Sequence, residues 1–205
     1  RAVRVGLPAR MQLDIPSGDF AGYIFDLDGT LVNTMPLHYR AWRDTLREFG
    51  LGVDLDEALF YSLGGVPAVQ VAGLFNQHYG TSFDPVLVRE MKERHFTALL
   101  PEASLIGPVV DYARAMARVR PVSVASGGPR DVVLETLDRY GLRDLFPVVV
   151  AADDVQHGKP APDTFLLAAR RMNVPAARCL VFEDAEMGIQ AAEAAGMAWV
   201  RVPRV

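Results

Sequence analysis

Two carboxylates one residue apart, Asp26 and Asp28, close the apolar run Tyr23-Ile24-Phe25 and lead directly into Gly29-Thr30. Acids this close repel each other unless a cation lies between them. If the run is a buried strand, both acids emerge at its carboxyl end, where open α/β sheets place their ligands. Taken alone, the fragment also has a lesser reading as an Asp-Gly turn after a core strand. Other polar groups stand in the same place after later apolar runs. Ser126-Gly127-Gly128 follows Val122-Ser123-Val124-Ala125, Lys159 lies beyond Val148-Val149-Val150-Ala151, and Glu183-Asp184 follows Cys179-Leu180-Val181-Phe182. Each has an ordinary explanation by itself: a turn serine, a solvated lysine, two acids favouring the start of a helix. Four such groups on one rim point to a site.

The chemistry that suits the set is transfer of a phosphoryl group to a carboxylate. Asp26 and Asp184 offer hard oxygen ligands for Mg2+, which takes one or two carboxylates and keeps waters beside a substrate phosphate. The metal and Lys159 neutralise the phosphate so that an anionic carboxylate can approach it. Ser126 and the amides of Gly127 and Gly128 suit the phosphoryl oxygens, glycine allowing close backbone approach. Asp26 is then the nucleophile, forming an aspartyl phosphate, and Asp28 the general acid and base.

The elements that must hold these groups follow from periodicity. After Thr30 the strand pattern stops. Leu37, Ala41, Trp42, Leu46 and Phe49 recur at helical spacing up to Gly50. Asp54 with Glu57 resembles a capping box for a second helix, Gly64-Gly65-Val66-Pro67 breaks the chain, and a third helical pattern ends at Gly80. Asp84-Pro85 is a good start for a fourth, charged helix towards Leu100. Residues 34–103 are therefore expected to form a helical insertion, too long for a connection within one sheet. From Ser104 onward helices alternate with apolar strands, which predicts parallel pairing and a five-stranded sheet covered on both faces. The expected organisation is an N-terminal tail over 1–18, an α/β unit over 19–33 and 104–205, and the helical insertion over 34–103.

Composition narrows the function classes. Of 205 residues, 50% are apolar and 22% charged, with a formal net charge of −4, so a sizeable core is available and no basic surface for nucleic acid or anionic membrane is indicated. The single cysteine, Cys179, has no partner for a disulfide and falls in an apolar run, where it reads as a small buried hydrophobe. His78, His95 and His157 lack mutual ligand spacing and read as surface or structural residues. No apolar stretch reaches membrane-spanning length, and the segment from Arg1 to Asp19 lacks the apolar centre of a signal peptide. A poorly ordered tail, a trimmed N-terminus and a cytoplasmic monomer are expected.

Phe25-Asp26-Leu27-Asp28-Gly29-Thr30, then Ser126, Lys159 and Glu183-Asp184, resemble in order the four motifs of the haloacid dehalogenase superfamily of phosphatases and phosphomutases. The helical insertion resembles the small helical cap of that superfamily. His38-Tyr39-Arg40-Ala41-Trp42, His157-Gly158-Lys159-Pro160-Ala161-Pro162-Asp163 and Phe182-Glu183-Asp184-Ala185-Glu186-Met187-Gly188 are similar to the β-phosphoglucomutase-like branch, nearest to bacterial fructose-1-phosphate and 6-phosphogluconate phosphatases. The resemblance implies a Rossmann-like core, Mg2+ as cofactor and a small phosphorylated metabolite as substrate. It implies Asp26 as nucleophile, Asp28 as acid/base with its backbone carbonyl on the metal, and Ser126, Gly127 and Lys159 on the phosphate. Asp184 is implied as a direct metal ligand, and Glu183 as one either directly or through water. His38 and Lys92 match residues that assist substrate engagement, while hinge packing for His38 and a solvated face for Lys92 stay open.

A sugar phosphatase is the function expected, with a β-phosphoglucomutase-type mutase as the alternative. Two departures favour the phosphatase or bear on the site. Gly64-Gly65-Val66-Pro67 lacks the arginine that the mutase uses there, and Gly128 stands where relatives often carry a hydroxyl. A non-catalytic sugar-phosphate sensor is expected to lose Asp26 or Asp28. A dehalogenase proper has no need of the second aspartate, and a helical protein- or DNA-binding module leaves the rim acids unexplained.

Overall fold

The computed structural model describes residues 11–205. Strand β1 (Gly22–Phe25) is followed by four helices, α1 (Met35–Glu48), α2 (Glu57–Ser62), α3 (Ala68–Tyr79) and α4 (Pro85–Leu99). The chain then alternates: α5 (Gly107–Ala117), β2 (Val122–Ala125), α6 (Arg130–Arg139), β3 (Val148–Val150), α7 (Asp163–Arg171), β4 (Cys179–Glu183), α8 (Glu186–Ala194), β5 (Ala198–Arg201). All pairings are parallel in the order β3-β2-β1-β4-β5, so the five-stranded parallel sheet expected from the sequence is present. β1 sits at its centre, between the strands that deliver Ser126 and Glu183.

Alternation along the strands loads both faces. Tyr23, Phe25, Val122, Val124, Leu180 and Phe182 pack with Val109, Val110 and Ala113 of α5 and with Val133 and Leu137 of α6. Ile24, Ala125, Val150 and Val181 pack on the other face against Phe165 and Ala168 of α7 and Ala191 and Ala192 of α8. The Phe25 and Phe182 rings stack with centroids 4.6 Å apart, locking the two central strands in register.

Helices α1 to α4 have a hydrophobic cluster of their own around Trp42, Leu46, Phe60, Val71, Phe75 and Val88. The chain enters and leaves this helical segment side by side. Asn33 donates its amide to Ser104 at 2.8 Å, Ile106 donates to Leu31 at 2.9 Å, and Val32 and Leu105 form an antiparallel bridge. The α2 cap differs from the sequence expectation. Asp56, not Asp54, accepts from the Leu59 amide at 3.0 Å, because a capping oxygen must reach an amide two or three residues on; Asp54 instead meets Arg47. The expected tail falls partly on residues 1–10, outside the described residues. Of the remainder, Met11 and Leu13 pack against the larger face of the sheet core instead of standing free. Among the described residues, no helix is long and apolar enough to cross a membrane.

Candidate active site

The rim begins where β1 ends. Asp26 continues the ladder by donating its amide to Phe182 at 3.0 Å, which directs its side chain, 6% exposed, over the carboxyl edge of the sheet. The chain then turns through Gly29 at φ +82°, a conformation suited to glycine. The turn also needs the missing side chain for space, since a Cβ at Gly29 would lie 2.5 Å from Asp184 Oδ2. Thr30 donates its hydroxyl to Asp184 Oδ1 at 3.3 Å and so ties the turn to the end of β4.

Lys159 reaches the same point from the segment after β3. Its ammonium donates to Asp26 Oδ1 at 2.5 Å, Glu183 Oε2 at 2.7 Å and the Ala125 carbonyl at 3.2 Å, so all three N–H groups are engaged. Burial opposes the charge on Lys159, but the two carboxylates outweigh it and raise its pKa above the ordinary lysine value. Glu183 is fixed at its other oxygen by the Ala185 amide at 3.0 Å.

One ammonium does not balance the acids around it. Oxygens of Asp26, Glu183 and Asp184 lie within 4.8 Å of one another. Burial, then Glu183, raise the Asp26 pKa well above the ordinary value against the pull of Lys159. Burial and Glu183 likewise raise Asp184 to about 7. Three converging hard oxygen donors with surplus negative charge fit a divalent cation such as Mg2+. The Asp28 carboxylate stands apart from this group, facing Thr34 and His38 instead.

That second half of the site lies under α1. Asp28 Oδ1 accepts from the Thr34 hydroxyl at 2.6 Å and contacts His38 Nε2 at 3.2 Å. The His38 ring stacks on Phe96 of α4, centroids 3.8 Å apart. Burial, followed by repulsion from Lys92, pulls His38 below the ordinary imidazole pKa despite Asp28. Burial alone would raise Asp28, but His38, Thr34 and Lys92 together hold it below the usual carboxylate range.

Beside Asp28 and His38 is a cavity of about 280 Å3, lined also by Gly127 and Gly128 after β2 and by Trp42, Phe60, Val66 and Lys92 of the helical segment. Ser126 is buried, and its hydroxyl oxygen accepts from the Gly128 amide at 3.0 Å, leaving its proton for a ligand. A Cβ at Gly128 would lie 3.4 Å from both Ser126 Oγ and Val133 Cγ2, so the glycine fits a tightly drawn loop.

The structure therefore brings Asp26, Lys159, Glu183 and Asp184 together, and places Asp28 with His38. Lys92 is not on a solvated face: it is 4% exposed, and its ammonium meets Glu93 Oε1 at 3.0 Å. His95 contacts Glu48 and Thr45, and His157 contacts Asp163, away from the rim. Sequence reasoning missed Thr34, Phe96 and Gly188, whose roles are visible only once distant segments meet. Thr34 left a trace as the polar residue at the start of α1, and Gly188 only as the last residue of the motif that begins at Phe182.

Protonation yields a test. A carboxyl whose folded pKa is raised contributes stability that is complete below its unfolded value, near 3.8, and is lost as pH rises through about 7 for Asp184. In chelator, the melting temperature should therefore fall between pH 5 and pH 8. Added Mg2+ should restore several degrees at pH 8 and far less at pH 5, as read by thermal unfolding. An equal magnesium shift at both pH values would contradict this arrangement.

Fold and site together define an enzyme of the phosphatase type. Residues 20–196 match the haloacid dehalogenase-like hydrolases, and the chain belongs to that family. It is 43% identical over 179 residues to the fructose-1-phosphate phosphatase YqaB of Escherichia coli K12, covering 87% of this chain and 94% of that one. Among solved structures it superposes on CbbY of Rhodobacter sphaeroides in complex with phosphate, with a TM-score of 0.79, 27% identity and coverage of 88% and 84% of the two chains. It also superposes on β-phosphoglucomutase of Clostridium difficile, with a TM-score of 0.74, 26% identity and coverage of 88% and 83%.

Proposed function

We propose that this enzyme hydrolyses small sugar phosphomonoesters through a phosphoaspartate at Asp26. The observation that carries the reading is the convergence of Asp26, Lys159, Glu183 and Asp184, with Asp26 two residues along the chain from Asp28, which lines a cavity. The likeness to a fructose-1-phosphate phosphatase supports a sugar phosphate as substrate.

In this mechanism Asp26, Asp184 and Glu183, with the Asp28 carbonyl, would hold Mg2+, which when bound would supply positive charge beside the phosphate. Lys159 exchanges part of its contact with Asp26 for a phosphoryl oxygen, and Ser126 with the Gly127 amide holds the others. The freed Asp26 oxygen attacks phosphorus in line, and the bond from phosphorus to the sugar oxygen breaks. Asp28 gives the leaving oxygen a proton. Because Thr34 and His38 keep it ionised in the free enzyme, it takes that proton from solvent as the substrate binds, the substrate's dianion opposing a second negative charge nearby. Asp28 then withdraws a proton from the water that attacks the phosphoaspartate, releasing phosphate and restoring Asp26. Residues 34–103 act as a cap over the site, hinged at the paired linkers.

A mutase reading draws on Arg89 and Lys92, two cations on the cavity wall, and on the likeness to β-phosphoglucomutase. Product analysis separates the two. Fructose 1-phosphate should release inorganic phosphate with no bisphosphate added, and β-glucose 1-phosphate should yield little glucose 6-phosphate. Isomerisation outpacing phosphate release in the presence of a bisphosphate primer would replace the phosphatase with a mutase.

A further inference from the structure

We infer that Glu93 sets the charge on the α4 wall of the cavity, favouring ligands that are uncharged where they meet that wall over ligands carrying a second anion there. The inference rests on the sugar-phosphate reading and adds to it the kind of sugar phosphate accepted. Arg89, Lys92 and Glu93 stand three and four residues apart on α4 and line the cavity with Trp42 and Phe60. Two cations on such a wall would hold a second phosphate or a carboxylate. One of them is already engaged: the Lys92 ammonium, its side chain 5% exposed, pairs with Glu93 Oε1 at 3.0 Å. The pair lies largely out of water, with the Glu93 side chain 17% exposed, so little solvent screens it.

The acid is also under-satisfied. Glu93 Oε2 is buried with no hydrogen-bond partner, and so is Arg89 Nε. An acceptor and a donor left unpaired beside one cavity suit a hydroxyl, which both donates and accepts. A distal phosphate or carboxylate serves Arg89 but must separate Lys92 from Glu93 and lie against an acid that water cannot shield. A neutral polyol end carries no such penalty. Glu93 thus acts by exclusion, keeping the cation in the wall from serving as an anchor for a second anion.

Binding tests this without turnover. In the Asp26→Asn background, fructose 1-phosphate and fructose 1,6-bisphosphate are titrated calorimetrically with Mg2+ at low salt, with Glu93 intact and as Glu93→Gln. The parent should prefer the monophosphate, and Glu93→Gln should move the affinity ratio towards the bisphosphate by about tenfold or more. Glu93→Asp, which keeps the charge, should leave the ratio near the parent's. Should Glu93→Gln fail to fold, Lys92→Met removes the opposite charge and must move the ratio the other way. A ratio within twofold of the parent, an equal loss for both ligands, or no binding of either would overturn the inference. Phosphate release from fructose 1-phosphate by the unsubstituted enzyme is measured in parallel. If the ratio shifts as expected while that enzyme releases none, the phosphatase reading falls and the role of Glu93 stands.

Discussion

Asp26→Asn should lower phosphate release by at least about 10⁴-fold and leave the protein folded, because the substitution removes the oxygen that attacks phosphorus in the proposed mechanism and changes almost no volume. Loss of the nucleophile is the largest effect expected of any single residue. Stability should be unchanged or slightly higher. The fold holds Asp26 well above the ordinary carboxylate pKa, through burial first and Glu183 second, so its ionised form is a burden on the folded state at neutral pH. Lys159 keeps Glu183 and the Ala125 carbonyl as partners in the variant. Phosphate release at saturating Mg2+ and a thermal unfolding curve check both parts. Turnover within tenfold of the parent would remove Asp26 from the chemistry.

Gly188→Ala should cost about 10²-fold in kcat/KM, together with weaker binding of Mg2+, although Gly188 has no reactive group. A Cβ there would lie 2.0 Å from Glu183 Oε2, 2.1 Å from its Cδ and 2.5 Å from its Cγ. The whole carboxylate must then leave a position only 1% exposed, taking one partner from Lys159 and one from the Ala185 amide. Unfolding should also become easier by about 1–3 kcal/mol, the range for a strained core with unpaired polar groups. Gly73→Ala is the contrast, since a Cβ in that position of α3 meets nothing within 4 Å, and it should be neutral or stabilising. Equal behaviour of the two variants would mean that Glu183 is free to move.

These two variants mark how far the sequence carries. Asp26 was legible because its neighbours in the chain state its position: an apolar run stops, and acids and a glycine follow. The same logic found Ser126, Lys159 and Glu183-Asp184, because a parallel sheet delivers the carboxyl ends of its strands to one edge. Gly188 was not legible, because its reason is a side chain on β4 that folds back over the first turn of α8. Nor was the pairing of Lys92 with Glu93, since charges on a helix read as solvated until another layer covers them. The start of α2 shows a local limit of a different kind. Asp54 and Asp56 are both good capping residues, and which one caps depends on where the helix begins, a matter of two residues that packing of Leu55 and Phe60 decides.

The hydrogen bond between Asn33 and Ser104 has an evolutionary reading. A stretch of chain whose two ends are pinned together is a closed loop to the rest of the protein, and doubling its length costs only about 0.6 kcal/mol of closure entropy. Helices α1 to α4, which carry a hydrophobic cluster of their own, can therefore lengthen, shorten or exchange residues while β1 still meets β2 and β4 in the same register. Apart from the seam where Leu37, Ala41, Phe96 and Leu100 meet Val132 and Tyr140, the helices pack among themselves, and effects at sites with no shared partners tend to add. Descendants of this chain can acquire a new substrate by drift in the helical segment, with the carboxylates and lysine at the edge of the sheet inherited unchanged.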